Sequence, residues 1–271
     1  PRGSGAGVGA GAGRAGGRRP SERGLGGTQV EGRQAVRELL LAGTRRATEV
    51  LLSAEVDRSD VVADIVDLAQ ELRVPVTEVS RGRLDSLSRT DAPQGVVAFA
   101  AEVPETPLEE LARTVDGRPP FLLAADGVTD PGNLGALLRI AECAGVTGVV
   151  LPRHRAVHLT PTVTKAAAGA VEYLPMAVVG GLPTAIERLR ELDVWVVGLD
   201  AGGDVSIHDL PVAGDAVCLV LGAEGRGLSR LVRQRCDVLA SIPLHGRLAS
   251  LNVASAGAIA CYELARRRTA G

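Results

Sequence analysis

Three glycine-containing segments in the second half of the chain hold the residue types that can do chemistry. The first, Asp126-Gly-Val-Thr-Asp-Pro-Gly-Asn-Leu-Gly-Ala-Leu-Leu-Arg139, leaves a buried strand and opens a helix. Glycine and asparagine beside a strand end let a ligand approach the backbone; Asn133 reads as the helix N-cap, with Arg139 less than two turns beyond it. On the polar side of an amphipathic helix such an Arg snorkels to solvent, unless the Asp-Pro-Gly-Asn turn beside it brings a ligand close. The second segment, Leu219-Val-Leu-Gly-Ala-Glu-Gly-Arg-Gly-Leu228, places one carboxylate, Glu224, in a glycine turn, where it can cap amides or serve catalysis. The third runs from Ser241 to Ala260 through Ile242-Pro-Leu-His-Gly-Arg-Leu-Ala-Ser-Leu-Asn252. Ser250 reads as the N-cap of a helix built from Ala254, Ser255, Ala256, Gly257 and Ala258, and side chains this small suit tight packing, a narrow ligand slot or a subunit interface.

The spacings exclude the commoner nucleotide sites. Glycines at 222, 225 and 227 run Gly-x-x-Gly-x-Gly, not the Gly-x-Gly-x-x-Gly of a dinucleotide fold, and no Gly-x-x-x-x-Gly-Lys-Ser/Thr phosphate loop occurs. His154, His158, His208 and His245 have no metal-ligand spacing with Cys or acids, so no metal is expected; His245 lies in the third loop.

The elements that must position these loops alternate as in an α/β protein. From Phe121 on, strand-length apolar runs at 121–125, 148–151, 173–179, 194–199, 216–222 and 238–244 alternate with helical patterns at 134–144, 162–169, 183–192, 228–234 and 251–267. That pattern predicts a parallel sheet, whose ligands bind beyond the carboxyl ends of the strands, where the three loops fall. Residues 28–103 predict a second, smaller parallel or mixed α/β unit, and the proline- and acid-rich stretch 104–118 a linker. Residues 1–27, with eleven glycines and five arginines against Glu22 alone, read as a disordered tail, either inert or a weak RNA tether.

Composition narrows the class. Of 271 residues 45% are hydrophobic and 23% charged, the formal net charge is −2, and no uncharged apolar run reaches the roughly 18 residues of a membrane span. Cys143, Cys218, Cys236 and Cys261 lack pairing spacing and suit reduced thiols in a cytoplasm. With no bulk positive field, any nucleic-acid role must rest on local sites.

Taken together and in this order, Asn133-x-Gly-x-x-x-Arg139, Leu221-Gly-x-Glu-Gly-x-Gly227 and the Ser250-Leu-Asn-Val helix start resemble the signature motifs of the SpoU branch of the SPOUT superfamily, the S-adenosylmethionine-dependent RNA 2′-O-ribose methyltransferases. The likeness covers roughly 120–268. More weakly, Val30-Glu-Gly-Arg-Gln-Ala-Val and Gln94-Gly-Val-Val-Ala98 resemble the ribosomal-protein-like RNA-binding domain that precedes the catalytic domain in many members. The resemblance implies a deep trefoil knot at 119–271, an exception to unknotted chains, and an RNA substrate-binding domain at 28–103. It implies S-adenosyl-L-methionine held by Gly198, Leu199, Gly222, Ile242 and Leu251, largely through backbone. It implies an essential Arg139 oriented by Asn133, with Glu224, Ser250 and Asn252 shaping the active site, and a homodimer with the helix of residues 251–261 near its interface. Among members, this layout most resembles the bacterial enzymes that methylate a guanosine of 23S rRNA; antibiotic-resistance rRNA methyltransferases share it, and tRNA guanosine methyltransferases share only the catalytic motifs. A non-catalytic ribosome-assembly factor of the same fold would show eroded loops or a lost Arg139, and neither is seen.

Overall fold

The computed structural model describes residues 24–153 and 158–269, so His154 and most of the Arg-rich stretch lie outside it. The first unit comprises β1 (Gln29–Glu31), α1 (Arg33–Ala42), β2 (Ala47–Ser53), α2 (Asp60–Glu71), β3 (Val76–Val79), α3 (Arg81–Leu87) and β4 (Val96–Ala100). Its sheet, ordered β1-β4-β2-β3, is mixed: β2 and β3 run parallel, and β4 is antiparallel to β1 and β2. Val36, Leu39 and Leu40 of α1, and Val62, Ile65 and Ala69 of α2, recur at helical spacing and bury against this sheet. The three-residue β1 and the mostly exposed α3, where Leu84 alone is buried, carry too little periodicity to be read from sequence.

Two segments expected to be loose are docked. Leu25 is buried in the core of the second unit, and Gly26 and Gly27, both at positive φ, let the chain lie against Leu159, whose carbonyl accepts from the Gly27 amide at 2.8 Å. Within 104–118, α4 (Leu108–Leu111) buries Leu111 against Gly148, and the Thr106 amide donates to the Met176 carbonyl at 2.8 Å. The apolar residues in the prolines' midst fasten this stretch to the sheet edge.

The second unit comprises β5 (Phe121–Asp126), α5 (Pro131–Cys143), β6 (Gly148–Pro152), α6 (Pro161–Ala166), a 3₁₀ turn Ala170–Glu172, β7 (Met176–Val179), α7 (Leu182–Glu191), β8 (Trp195–Leu199), β9 (Val205–Ser206), a second 3₁₀ turn Ile207–Asp209, β10 (Val217–Gly222), α8 (Arg230–Arg235), β11 (Val238–Ser241) and α9 (Val253–Thr269). The strands order β7-β6-β5-β10-β8-β11-β9, every neighbouring pair parallel, with apolar cores on both faces. The connection 200–216 leaves β8, passes β11 at Ala240, pairs on the far side of β11 as β9 and returns to β10. A later strand thus lies inside a loop closed by earlier ones, the arrangement a threaded chain requires.

The end of α9 is gripped. Arg267 donates to the carbonyls of Leu210 (2.7 Å) and His208, and Arg268 to those of Asp215 (2.5 Å) and Pro119, with its guanidinium 5.3 Å from the Phe121 ring centre. Arg268→Ala is expected to cost about 1–3 kcal/mol, read as a lowered thermal midpoint; an unchanged midpoint would show the grip to be idle. All four cysteines are free, and burial pushes the thiols of Cys236 and Cys261 up to about 12, so they stay protonated. No described helix is long and apolar enough to cross a membrane.

Candidate active site

Strands β5 and β10 lie side by side with Asp126 opposite Gly222, which brings the first two loops together. The first loop closes differently from the sequence expectation. Asp130, not Asn133, caps α5: its Oδ1 accepts from the Asn133 amide at 2.7 Å, and Pro131 occupies the first turn, where a missing N–H costs nothing. Asn133 is therefore inside the first turn with its side chain free to reach sideways.

In the third loop the cap is Asn252 rather than Ser250. Its Oδ1 accepts from the amides of Ala254 (2.9 Å) and Ser255 (3.3 Å), so α9 starts at Val253 and Ser250 stays exposed at a cavity rim. That cap fixes the direction of everything beyond it. With Oδ1 committed to the helix, Asn252 Nδ2 donates to Asn133 Oδ1 at 3.0 Å, and Asn133 Nδ2 in turn donates to Glu224 Oε2 at 3.1 Å. One residue from each loop thus joins a single directed chain ending on a carboxylate, and each bond polarises the next.

Glu224 sits at the tip of a turn closed by paired hydrogen bonds between Ala223 and Gly227 (3.1 and 2.8 Å), with Gly225 and Gly227 at φ 75° and 64°. A Cβ on Gly222 would lie 2.1 Å from the Gly227 carbonyl carbon, so only glycine fits beneath the turn. Ser229, following the turn, donates its amide to Asp126 Oδ2 at 2.6 Å and ties the second loop back to β5.

These loops enclose a cavity of about 460 Å³, within the range of cofactor sites. Leu199, Ile242 and Leu251 supply apolar walls, and Gly222 to Gly227 supply backbone. Gly198 does not reach it: a Cβ there would meet Leu228 (2.7 Å) and Cys236 (2.8 Å), so this glycine serves the packing of β8 under α8. Asp200 and Arg226 line the cavity although neither was singled out; the acid directly after a parallel strand was the available signal. Of the small residues in α9, Ala256 faces the cavity while Gly257 lets α5 close in, since a Cβ there would lie 2.4 Å from Leu137. Arg139 is exposed on α5 and makes no hydrogen bond or ion pair among the described residues. No described group of three or more His, Cys, Asp or Glu could hold a metal.

Comparison with known proteins bears directly on this geometry. Residues 120–262 match the SpoU rRNA Methylase family, and 29–106 match the domain described as RNA 2′-O ribose methyltransferase substrate binding. The chain is 40% identical over 244 residues, 89% of its length and 97% of the relative's, to the 23S rRNA (guanosine-2′-O-)-methyltransferase RlmB of Pseudomonas aeruginosa. The enzyme of the same name from Coxiella burnetii is 41% identical, covering 89% of this chain and 96% of that one. Among solved structures, the SpoU methyltransferase AviRb from Streptomyces viridochromogenes in complex with AdoMet superposes with a TM-score of 0.75 at 26% identity, over 90% of this chain and 91% of that one. With both family matches, relatives of this identity across both units, and three signature loops joined by one hydrogen-bonded chain, the protein belongs to the SpoU rRNA methylase family.

Proposed function

We propose that the protein, as a cytoplasmic homodimer, transfers a methyl group from S-adenosyl-L-methionine to the ribose 2′-hydroxyl of a guanosine in 23S rRNA. The observation that carries this reading is the Glu224–Asn133–Asn252 chain closing three loops over a cavity of backbone and apolar walls, with an unpaired Arg139 on the same helix. Such a cavity fits S-adenosyl-L-methionine: Leu199, Ile242 and Leu251 suit the faces of an adenine, and the glycine turn leaves main-chain groups open to its polar edges. Once bound, that cofactor supplies an electrophilic methyl group.

The chain's own residues position the nucleophile. A guanidinium is a poor proton acceptor, but the fork of Arg139 suits the RNA phosphate beside the reacting ribose. By clamping that phosphate it orients the 2′-oxygen and stabilises developing charge, while the hydroxyl proton leaves to a phosphate oxygen or water. Asn133 holds the start of α5 against Glu224 and Asn252, so the Arg139 backbone does not drift. Ser250 is exposed at the cavity rim, where it can meet the incoming ribose. The 28–103 unit binds the RNA, and the guanosine of 23S rRNA follows from the identity to RlmB enzymes across both units. Exposed Leu248, Ile259 and Tyr262, beside and along α9, support the homodimer. Sedimentation as a monomer at micromolar concentration would refute that part.

The test is transfer of label from S-adenosyl-L-methionine to bacterial RNA lacking ribose methylation, fractionated into 23S, 16S and transfer RNA. Label in 2′-O-methylguanosine of 23S rRNA is the expected result; label confined to transfer RNA, or none with cofactor bound, overturns it. Asn133→Asp sets a second carboxylate against Glu224, and turnover should fall about 10–100-fold at neutral pH. Like charges raise each other's pKa, so activity should partly return as pH falls and the pair takes up a proton. A parallel pH profile for variant and wild type would refute this role of Asn133.

A further inference from the structure

The first unit is fixed to the second by a buried charge. Arg45, in the turn between α1 and β2, donates from Nε and Nη2 to both carboxylate oxygens of Glu172 at 2.8 and 2.7 Å, with side-chain exposures of 2% and 0%. Its remaining nitrogen, Nη1, donates to the carbonyls of Gly27 and Ala101, each at 2.6 Å. Those two residues are where the chain passes into β1 and out of β4, so one guanidinium ties both ends of the RNA-binding unit to the catalytic one. Around it, Tyr173 donates to Glu38 at 2.7 Å, Lys165 to the Ala92 carbonyl, and the Glu38 side chain lies where a Cβ on Gly169 would be.

Glu172 belongs to the stretch from α6 through the 3₁₀ turn, which is pressed on its other side against the active-site helix. A Cβ on Gly135 of α5 would lie 2.4 Å from Ala166 and 2.7 Å from the Val163 carbonyl oxygen. This stretch is a packed spacer between the RNA-binding unit and the helix carrying Asn133 and Arg139. Apolar residues hold domains together at least as well as a buried ion pair does, whereas a bidentate pair fixes direction. The docking of α4 on the second sheet already tethers the units without it.

We propose that Arg45 and Glu172 are positioning residues for methyl transfer, setting the distance and angle at which RNA held by the first unit reaches Arg139 and the cavity. The inference rests on the methyltransferase reading above. Its test compares Glu172→Gln and the milder Arg45→Lys with wild type, below their melting temperatures. Hydrogen exchange should rise in 24–31 and 161–173 but not in β10. With full-length 23S rRNA, KM should rise at least about tenfold and kcat change less than about twofold, because a loosened tether lowers the effective concentration of the target ribose. Affinity for S-adenosyl-L-methionine should be unchanged. Raised exchange with unaltered KM would overturn the proposal, as would unaltered exchange in both variants. A wild-type enzyme that methylates no RNA would instead overturn the methyltransferase reading, a result read before any variant is made.

Discussion

Arg139→Lys is expected to lower kcat about 10²–10³-fold, the cost of removing one preorganised charge-stabilising group from an active site. Lysine keeps the charge, so the loss isolates the fork: an ammonium contacts one phosphate oxygen at a time and fixes no plane. Because Arg139 makes no hydrogen bond or ion pair among the described residues and stands on the exposed face of α5, the substitution disturbs neither packing nor an ion pair. The melting temperature and the affinity for S-adenosyl-L-methionine should therefore match wild type. Single-turnover rates at saturating RNA, with cofactor binding by calorimetry, separate the possibilities. Near-wild-type turnover would refute the bidentate clamp.

Gly222→Ala should weaken S-adenosyl-L-methionine binding about 100-fold. Its new Cβ would meet the Gly227 carbonyl carbon, carbonyl oxygen (2.4 Å) and the Leu228 amide (2.4 Å), all backbone, so no side chain can swing aside. The turn carrying Glu224 must lift; overpacking of this kind costs about 1–3 kcal/mol, and each 1.4 kcal/mol drawn from binding is tenfold in affinity. Lifting the turn also breaks the Asn133–Glu224 bond, so turnover at saturating cofactor should fall as well. Gly214→Ala, where a Cβ meets nothing within 4 Å, is the matched control and should bind as wild type. Equal affinities in the two variants would show that the turn does not wall the cofactor site.

The three loops were legible because their chemistry is local: glycine, proline and amide residues at strand ends announce turns whatever surrounds them. Cap assignment failed where two candidates competed. Asp130 before a proline outranked Asn133, and Asn252, two residues nearer the helix, outranked Ser250. Gly198 was legible as a glycine but not as one required by Leu228 and Cys236, which fold onto it from later in the chain. The docking of the two units left no trace at all. Arg45 and Glu172 stand 127 residues apart, and each reads as an ordinary surface charge until the fold buries both.

The loop closed around β11 also orders the life of the polypeptide. Asn252, Val253 and Ala256, which finish the hydrogen-bonded chain and one wall of the cavity, come later in the chain than every other residue of that site, and Arg267 and Arg268 hold α9 to the 207–215 connection that precedes them. A nascent chain that does not yet include residues 249–256 lacks one wall of the cavity and the Asn252 end of the hydrogen-bonded chain. A product cut anywhere before Ser250 is correspondingly expected to be silent rather than half-active, so catalytic competence certifies that the chain was carried past the third loop.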